Sequence, residues 1–354
     1  MSDPGAAIAA LELNDAGLTL AGPPALAELQ ADPGIAVVEE ERIVTGRAAE
    51  ERARLSPRRV HQSYWAELGL EPLGPPFPEG LRSADLAFAQ LEELGTRAAS
   101  ALGGGRSLTG VLLVAPGSFS LSRLGLALSV ARRAGWPVTG CVDAAVAAAA
   151  GGAPADGGRR IHLDLERNRA VATELLPEEG GRVVRGRVVR DERVGSAALL
   201  DGWARAVARQ FVRRTRFDPL HAAATEQELY LRLPGWLARL SAESSIAVSI
   251  AAGGRAHEIE LERAWVAAEA ALAYERLADL VRAAVEAAPE PAGLLLSDRL
   301  RGLPGLEIRG SASGPAIRLP AMAALTGALR HAREIHHPGV EAPPLIVRLP
   351  GARG

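Results

Sequence analysis

Apolar and polar positions alternate along this chain with two periods, and the switches between them mark out its elements. Residues 8–20, IAALELNDAGLTL, form two short apolar runs around Asn14-Asp15-Ala16-Gly17, the pattern of a hairpin. VLLVAP at 111–116 reads as a buried strand. FSLSRLGLALSVARRAGW follows as a helix with Ser120 as N-cap, Leu121, Leu124, Leu128 and Ala131 on its inner face, and Gly135 closing it. PVTGCV at 137–142 predicts a second strand, and DAAVAAAAGG an alanine helix starting from Asp143. Strand, helix, strand and helix in this order predict a crossover unit on a mainly parallel sheet.

Elsewhere, Ser83 to Leu102 carries an apolar stripe at helical spacing, and Gly103-Gly104-Gly105 ends it as a linker, with no Lys-Ser/Thr behind it to make a phosphate loop. Residues 70–80 form a proline-rich connector. Residues 151–159 separate two halves, 160–176 predict a hairpin, and RVVRGRVVRDER at 182–193 predicts a half-exposed strand pair. A helix over 196–217 presents Leu200, Trp203, Val207, Phe211 and Val212 on one face, and Arg205, Arg209, Arg213 and Arg214 on the other. Then come a helix broken near Pro234, a hairpin over 245–263 turning at Gly253-Gly254, and a long helix from Arg263 to Ala288.

Composition narrows the function classes. The chain has 354 residues, enough for two α/β domains or one bilobed one, with a net charge of −2. That balance gives no general attraction to nucleic acid, and no apolar run reaches the length of a membrane span. The arginine face at 205–214 lacks interleaved aromatics and reads as solvated or as protein-docking. Cys141 is the sole cysteine, so no internal disulfide forms, which suits a reducing cytoplasm; the acidic N-terminus does not read as a secretory signal. All 40 basic residues are arginine, which excludes any mechanism needing a lysine ammonium. The His336-His337 pair lacks the ligand spacing of a metal site, so no metal ligands are assigned.

The ordered run from Pro116 and Phe119 through Ala134-Gly135 to Val142-Asp143-Ala144-Ala145-Val146-Ala147 resembles the "VPAYF…AG…NEPTAA" segment of DnaK-type heat-shock chaperone ATPases, within the actin superfamily. Ile43-Val44-Thr45-Gly46-Arg47-Ala48-Ala49 and the terminal stretch 319–332 extend the resemblance over about residues 8–332. It implies an α/β actin-like ATPase fold, in which two lobes, each a mixed sheet flanked by helices, enclose a cleft. Residues 1–150 would form lobe I, residues 151–332 lobe II with an upper subdomain near 218–290, and residues 333–354 a proline-rich tail. No substrate-binding domain or lid is recognisable.

The resemblance also assigns nucleotide-cleft positions, and these depart from the family. At the first phosphate loop, "DLGTT", stand Glu12, Asn14 and Asp15; Asp15 puts a negative charge where a phosphate needs a donor. At the second, "DLGGGTFD", Asp164 is retained, but Glu166, Arg167, Asn168 and Arg169 replace the glycines and threonine that let backbone amides close around phosphate. The phosphate-contacting lysine falls near Ser63-Tyr64-Trp65, and Ser297-Asp298 replaces two glycines beside the adenosine, although Arg299 and Pro304 persist. Phosphoryl transfer depends on positioned donors. The expectation is therefore a non-catalytic pseudo-ATPase, with no catalytic residues, acting as a protein-binding or assembly scaffold through a protein partner or self-association. The alternative is an ATP-binding switch or filament-forming ATPase with rewired loops, needing ATP and magnesium held by Glu12 and Asp164.

Overall fold

The computed structural model describes residues 7–351 apart from positions 28, 30, 41, 104–106, 154–157, 287–290 and 309–315. The triple-glycine linker and the 151–159 separator lie partly outside the described residues. In the first half, β1 (Ala7–Glu12) and β2 (Thr19–Ala21) form the expected hairpin. β3 (Ala36–Val38), β4 (Ile43–Thr45) and β5 (Val60–His61) make a small antiparallel sheet beside the short α1 (Gly46–Glu50). α2 (Ser83–Leu102) has the expected bounds. β6 (Leu108–Ala115), α3 (Leu121–Arg133), β7 (Val138–Asp143) and α4 (Ala144–Gly152) build the parallel crossover. The Ser120 hydroxyl caps α3 by accepting from the Arg123 N–H at 3.2 Å. Leu121 is 79% exposed, however, because it sits in the first turn, where the helix has not yet reached the sheet.

In the second half, β8 (Arg160–Leu165), β9 (Ala170–Glu178) and β10 (Arg182–Asp191) form an antiparallel meander. The stretch read as a strand pair is thus one strand: its register against β9 shifts between Arg185 and Val188, which absorbs the irregularity without a turn. Next come α5 (Ser196–Thr215), α6 (Ala223–Ala242), the hairpin of β11 (Ser245–Ala252) and β12 (Arg255–Glu262), α7 (Arg263–Glu269) and α8 (Ala271–Val285). α5 buries Leu199, Trp203, Ala204, Val207 and Phe211, so its inner face is turned slightly from the expected one and leaves Val212 exposed. α6 runs through Pro234; Leu229, Leu233, Trp236, Leu237 and Leu240 are buried around it, and their packing offsets the missing backbone bond. The hairpin pairs Ala252 with Arg255 across Gly253 and Gly254, whose φ values of +57° and +74° suit a glycine turn.

The long helix expected from Arg263 is two. The Val266 carbonyl accepts a hydrogen bond from the Trp203 indole at 2.9 Å, while the Ala270 N–H bonds the Ala267 carbonyl in a tighter turn, and the chain bends there. β13 (Gly293–Leu296), β14 (Ile317–Arg318), α9 (Ala323–Arg330), α10 (Ala332–Ile335), β15 (Leu345–Ile346) and β16 (Arg348–Pro350) complete the described chain.

Two larger sheets carry this mixed α/β fold. The first has the order β15-β7-β6-β1-β2, the second β14-β13-β8-β9-β10-β16. Each is built around one strand, β1 or β8, that pairs antiparallel with the next strand in sequence and parallel with a strand reached by a crossover. α4 and α9 join the two sheets: their alanines share one core with Ala10, Leu112 and Val114 of the first and Leu175 and Leu295 of the second. The helices touch backbone to backbone at two glycines. A Cβ on Gly151 would collide with the Ala323 carbonyl, and one on Gly327 with the Ala147 carbonyl. The proline-rich tail supplies two short strands: β15 extends the first sheet beside β7 and β16 extends the second beside β10.

Candidate functional site

β1 and β8 end facing one another, and their last carboxylates meet a single cation. Glu12 closes β1, Asp164 lies one residue before the end of β8, and both are buried. Arg299, in the 3-10 turn after β13, donates through Nη2 to Glu12 Oε2 at 2.7 Å and through Nη1 to both Asp164 oxygens at 3.4 Å. Asn14 Nδ2 donates to Asp164 Oδ2 at 3.0 Å, and the Leu165 N–H donates to Asp164 Oδ1 at 2.9 Å. Burial raises the Asp164 pKa, but Arg299 and His162 outweigh it and hold the carboxyl below the usual range. Burial likewise disfavours the Arg299 charge, and Glu12 and Asp164 reverse this and leave its pKa raised. The centre is an ion triad in which one guanidinium bridges two carboxylates.

A cavity of about 300 Å³ opens beside this triad. Glu12, His162, Asp164, Ser297, Asp298 and Arg299 give it a polar wall, and alanines of α4 and α9 an apolar one. Among the described residues the His162 Nε2 has no hydrogen-bond partner. Burial pushes the His162 pKa down, opposed by Asp164, Asp143 and Glu12. Asp143 is engaged elsewhere: it caps α4 through the Ala145 and Val146 N–H groups and pairs with Arg185 at 2.9 Å.

The remaining expected site residues form a second junction. Asp15 Oδ1 accepts from the Arg167 N–H at 2.6 Å and Oδ2 from Asn168 Nδ2 at 3.2 Å, so the β1–β2 turn is bonded directly to the β8–β9 turn. Burial raises the Asp15 pKa, only partly offset by these two donors. Glu166, adjacent and buried, is pushed up to about 8, first by burial and then by the Asp15 charge. Arg167 reaches Gln62 at 3.0 Å, and Arg169 faces away from the triad toward the Ala66 carbonyl at 3.2 Å, Glu166 and Glu192. Asp298 pairs with Arg301 at 3.1 Å. Glu12, Asp164, Ser297 and Asp298 therefore share the cavity, Asn14 braces Asp164 behind it, Asp15 and Arg167 seal the turns, and Arg169 stands apart. Where a lysine was missing, Tyr64 and Trp65 are fully buried on the Gln90 Oε1 acceptor, at 2.6 and 2.7 Å.

The sequence did not reveal the role of Arg299, which lies 287 positions from Glu12, nor that of His162. The only available signal was that Arg299 persists in a stretch where the neighbouring glycines do not. The donor set does not suit a magnesium ion, because both carboxylates that would face it already hold a guanidinium. Among the described residues, no group of three or more His, Cys, Asp or Glu side chains is disposed to hold a metal, and no helix is long and apolar enough to cross a membrane.

No protein-family description matches this chain, and no curated protein is similar enough to it to serve as a relative.

Proposed function

We propose that the chain is a non-catalytic member of the actin and DnaK-type ATPase superfamily, and that it works as a protein-binding or assembly scaffold. The observation that carries this reading is the Arg299 guanidinium bound between Glu12 and Asp164, where such an ATPase would need metal and phosphate. Two lobes meeting at a cleft is the architecture the paired sheets favour, since both repeat one connectivity around β1 and β8. The turns that would wrap phosphate bond each other through Asp15, Arg167 and Asn168, so an entering triphosphate would have to break these bonds and face the Asp15 carboxyl. A cleft whose two carboxylates are held by Arg299 and whose turns bond each other favours a fixed relative position of the lobes, which suits a scaffold better than a switch.

The test is thermal unfolding of the purified protein with and without ATP and magnesium. A ligand at 100 times its dissociation constant stabilises by about 2.7 kcal/mol, enough to move the midpoint visibly. The expected result is an unchanged midpoint at millimolar ATP. A clear rise that Asp164→Asn abolishes would overturn the proposal in favour of a nucleotide-dependent switch.

A further inference from the structure

A second cavity, of about 480 Å³, lies away from the triad beside the β8–β9 turn. Three arginines from three elements line it: Arg123 of α3, Arg169 of the turn leading into β9, and Arg190 of β10. Arg169 is 5% exposed and shares Glu192 with Arg190, at 3.3 and 3.5 Å. Among the described residues Arg123 makes no ion pair, and its Nε is buried without a hydrogen-bond partner. Burial, and then the positive charges of Arg169 and Arg190, pull the Arg123 pKa down, as expected for a guanidinium packed among others.

Of the acidic residues nearby, Glu192 pairs with Arg169 and Arg190, Glu67 is exposed on the rim, and buried Glu166, whose pKa burial pushes up, lies 3.3 Å from Arg169; among the described residues no carboxylate pairs with Arg123. Ser63, Ser120 and Asn168 add hydroxyl and amide groups to the wall. A volume of this size exceeds what a free ion fills and suits a small organic molecule. Converging guanidinium forks with hydroxyl donors are matched by the several oxygens of a phosphate rather than by one carboxylate.

We propose that this cavity is a binding site for the phosphate of a small phosphomonoester, held by Arg123, Arg169 and Arg190. Because Arg123 belongs to the first half of the chain and Arg169 and Arg190 to the second, the ligand bridges the two. The site is independent of the state of the cleft at Arg299.

Isothermal titration calorimetry with glucose 6-phosphate, inorganic phosphate and acetate tests it. Glucose 6-phosphate should bind with a dissociation constant of about 1 mM or tighter, and Arg123→Gln and Arg190→Gln should each weaken it about tenfold or more. Arg213→Gln removes the same charge from the exposed face of α5 and should leave binding unchanged. Among the described residues Arg123 makes no ion pair, so its variant should keep the wild-type melting curve, which separates lost binding from lost fold. Binding of inorganic phosphate as tight as that of the ester would reduce the site to a free-phosphate site and overturn the ester assignment. Absence of binding at about 10 mM, equal binding of acetate, or equal loss in Arg213→Gln would overturn the proposal outright. A thermal shift with ATP that disappears in Arg123→Gln would place the nucleotide's phosphates here rather than at the cleft.

Discussion

Arg299 neutralises two buried carboxylates that face one another, so its loss should cost more than one hydrogen bond. Arg299→Ala is expected to lower the unfolding free energy by about 3–5 kcal/mol, since it leaves Glu12 and Asp164 uncompensated. Denaturant unfolding measures it, and adding Glu12→Gln should recover part of the loss. A double variant as unstable as the sum of both singles would rule out charge compensation as the cause. Glu166 gives a pH dependence of known sign. Its folded pKa of about 8 lies above the ordinary 4.5, so the folded state holds the proton more tightly, and this stabilisation is full below 4.5 and lost as pH rises to 8. Glu166→Gln keeps the neutral form permanently. The wild type should lose stability relative to that variant by up to about 1.4 kcal/mol per pH unit across the window. Parallel melting curves for the two proteins from pH 5 to 8 would show that Glu166 is ionised throughout.

Elements whose partners are close in sequence were legible, and those decided at a distance were not. The β1–β2 and β11–β12 hairpins, α2, and the run from β6 to α4 follow from periodicity, turn residues and caps that lie within each segment. The split between α7 and α8 was hidden because the Trp203 indole claims the Val266 carbonyl from another helix. The continuity of α6 through Pro234 was hidden for a related reason: packing decides it, and propensity alone argued for a break. The meeting of Glu12 with Asp164 could be expected only from the resemblance, and the cation between them could not be expected at all. At the α4–α9 contact the sequence shows only small residues, yet the fit is tight. Gly327→Val should destabilise by about 1–3 kcal/mol or more through overpacking, read from the shift in the denaturation midpoint. An unchanged midpoint would mean that the helices can move apart freely.

Across the whole molecule, the two halves are joined by bonds spread over several places. Beyond the triad and the paired turns, Arg54 pairs with Asp201 at 2.9 Å and lies 3.5 Å over the Tyr230 ring, and Gln227 donates to the Glu50 carbonyl. The tail adds β15 to one sheet and β16 to the other. Its composition, rich in proline, concealed this, since two- and three-residue strands carry no period and take their register from partners far upstream. Leu349, fully buried in β16, fastens the second of these attachments. Leu349→Ala is expected to cost about 2–5 kcal/mol in global stability, measured by chemical denaturation. A loss confined to local fraying, seen as faster amide exchange in β16 alone, would show that the tail is an ornament on an otherwise complete fold.

The same tail sets an order of events in making the protein. β7 is finished at Asp143, but its edge neighbour starts at Leu345, and β10 ends at Asp191 while the strand beside it starts at Arg348. A nascent chain therefore holds the β7 edge open while about 200 further residues are made and the β10 edge while about 155 are made, at elongation rates that make each wait on the order of ten seconds or more. Closing them late requires loops of high sequence separation, which slows folding. Until the tail emerges, those two edges are where the unfinished fold is open to mispairing.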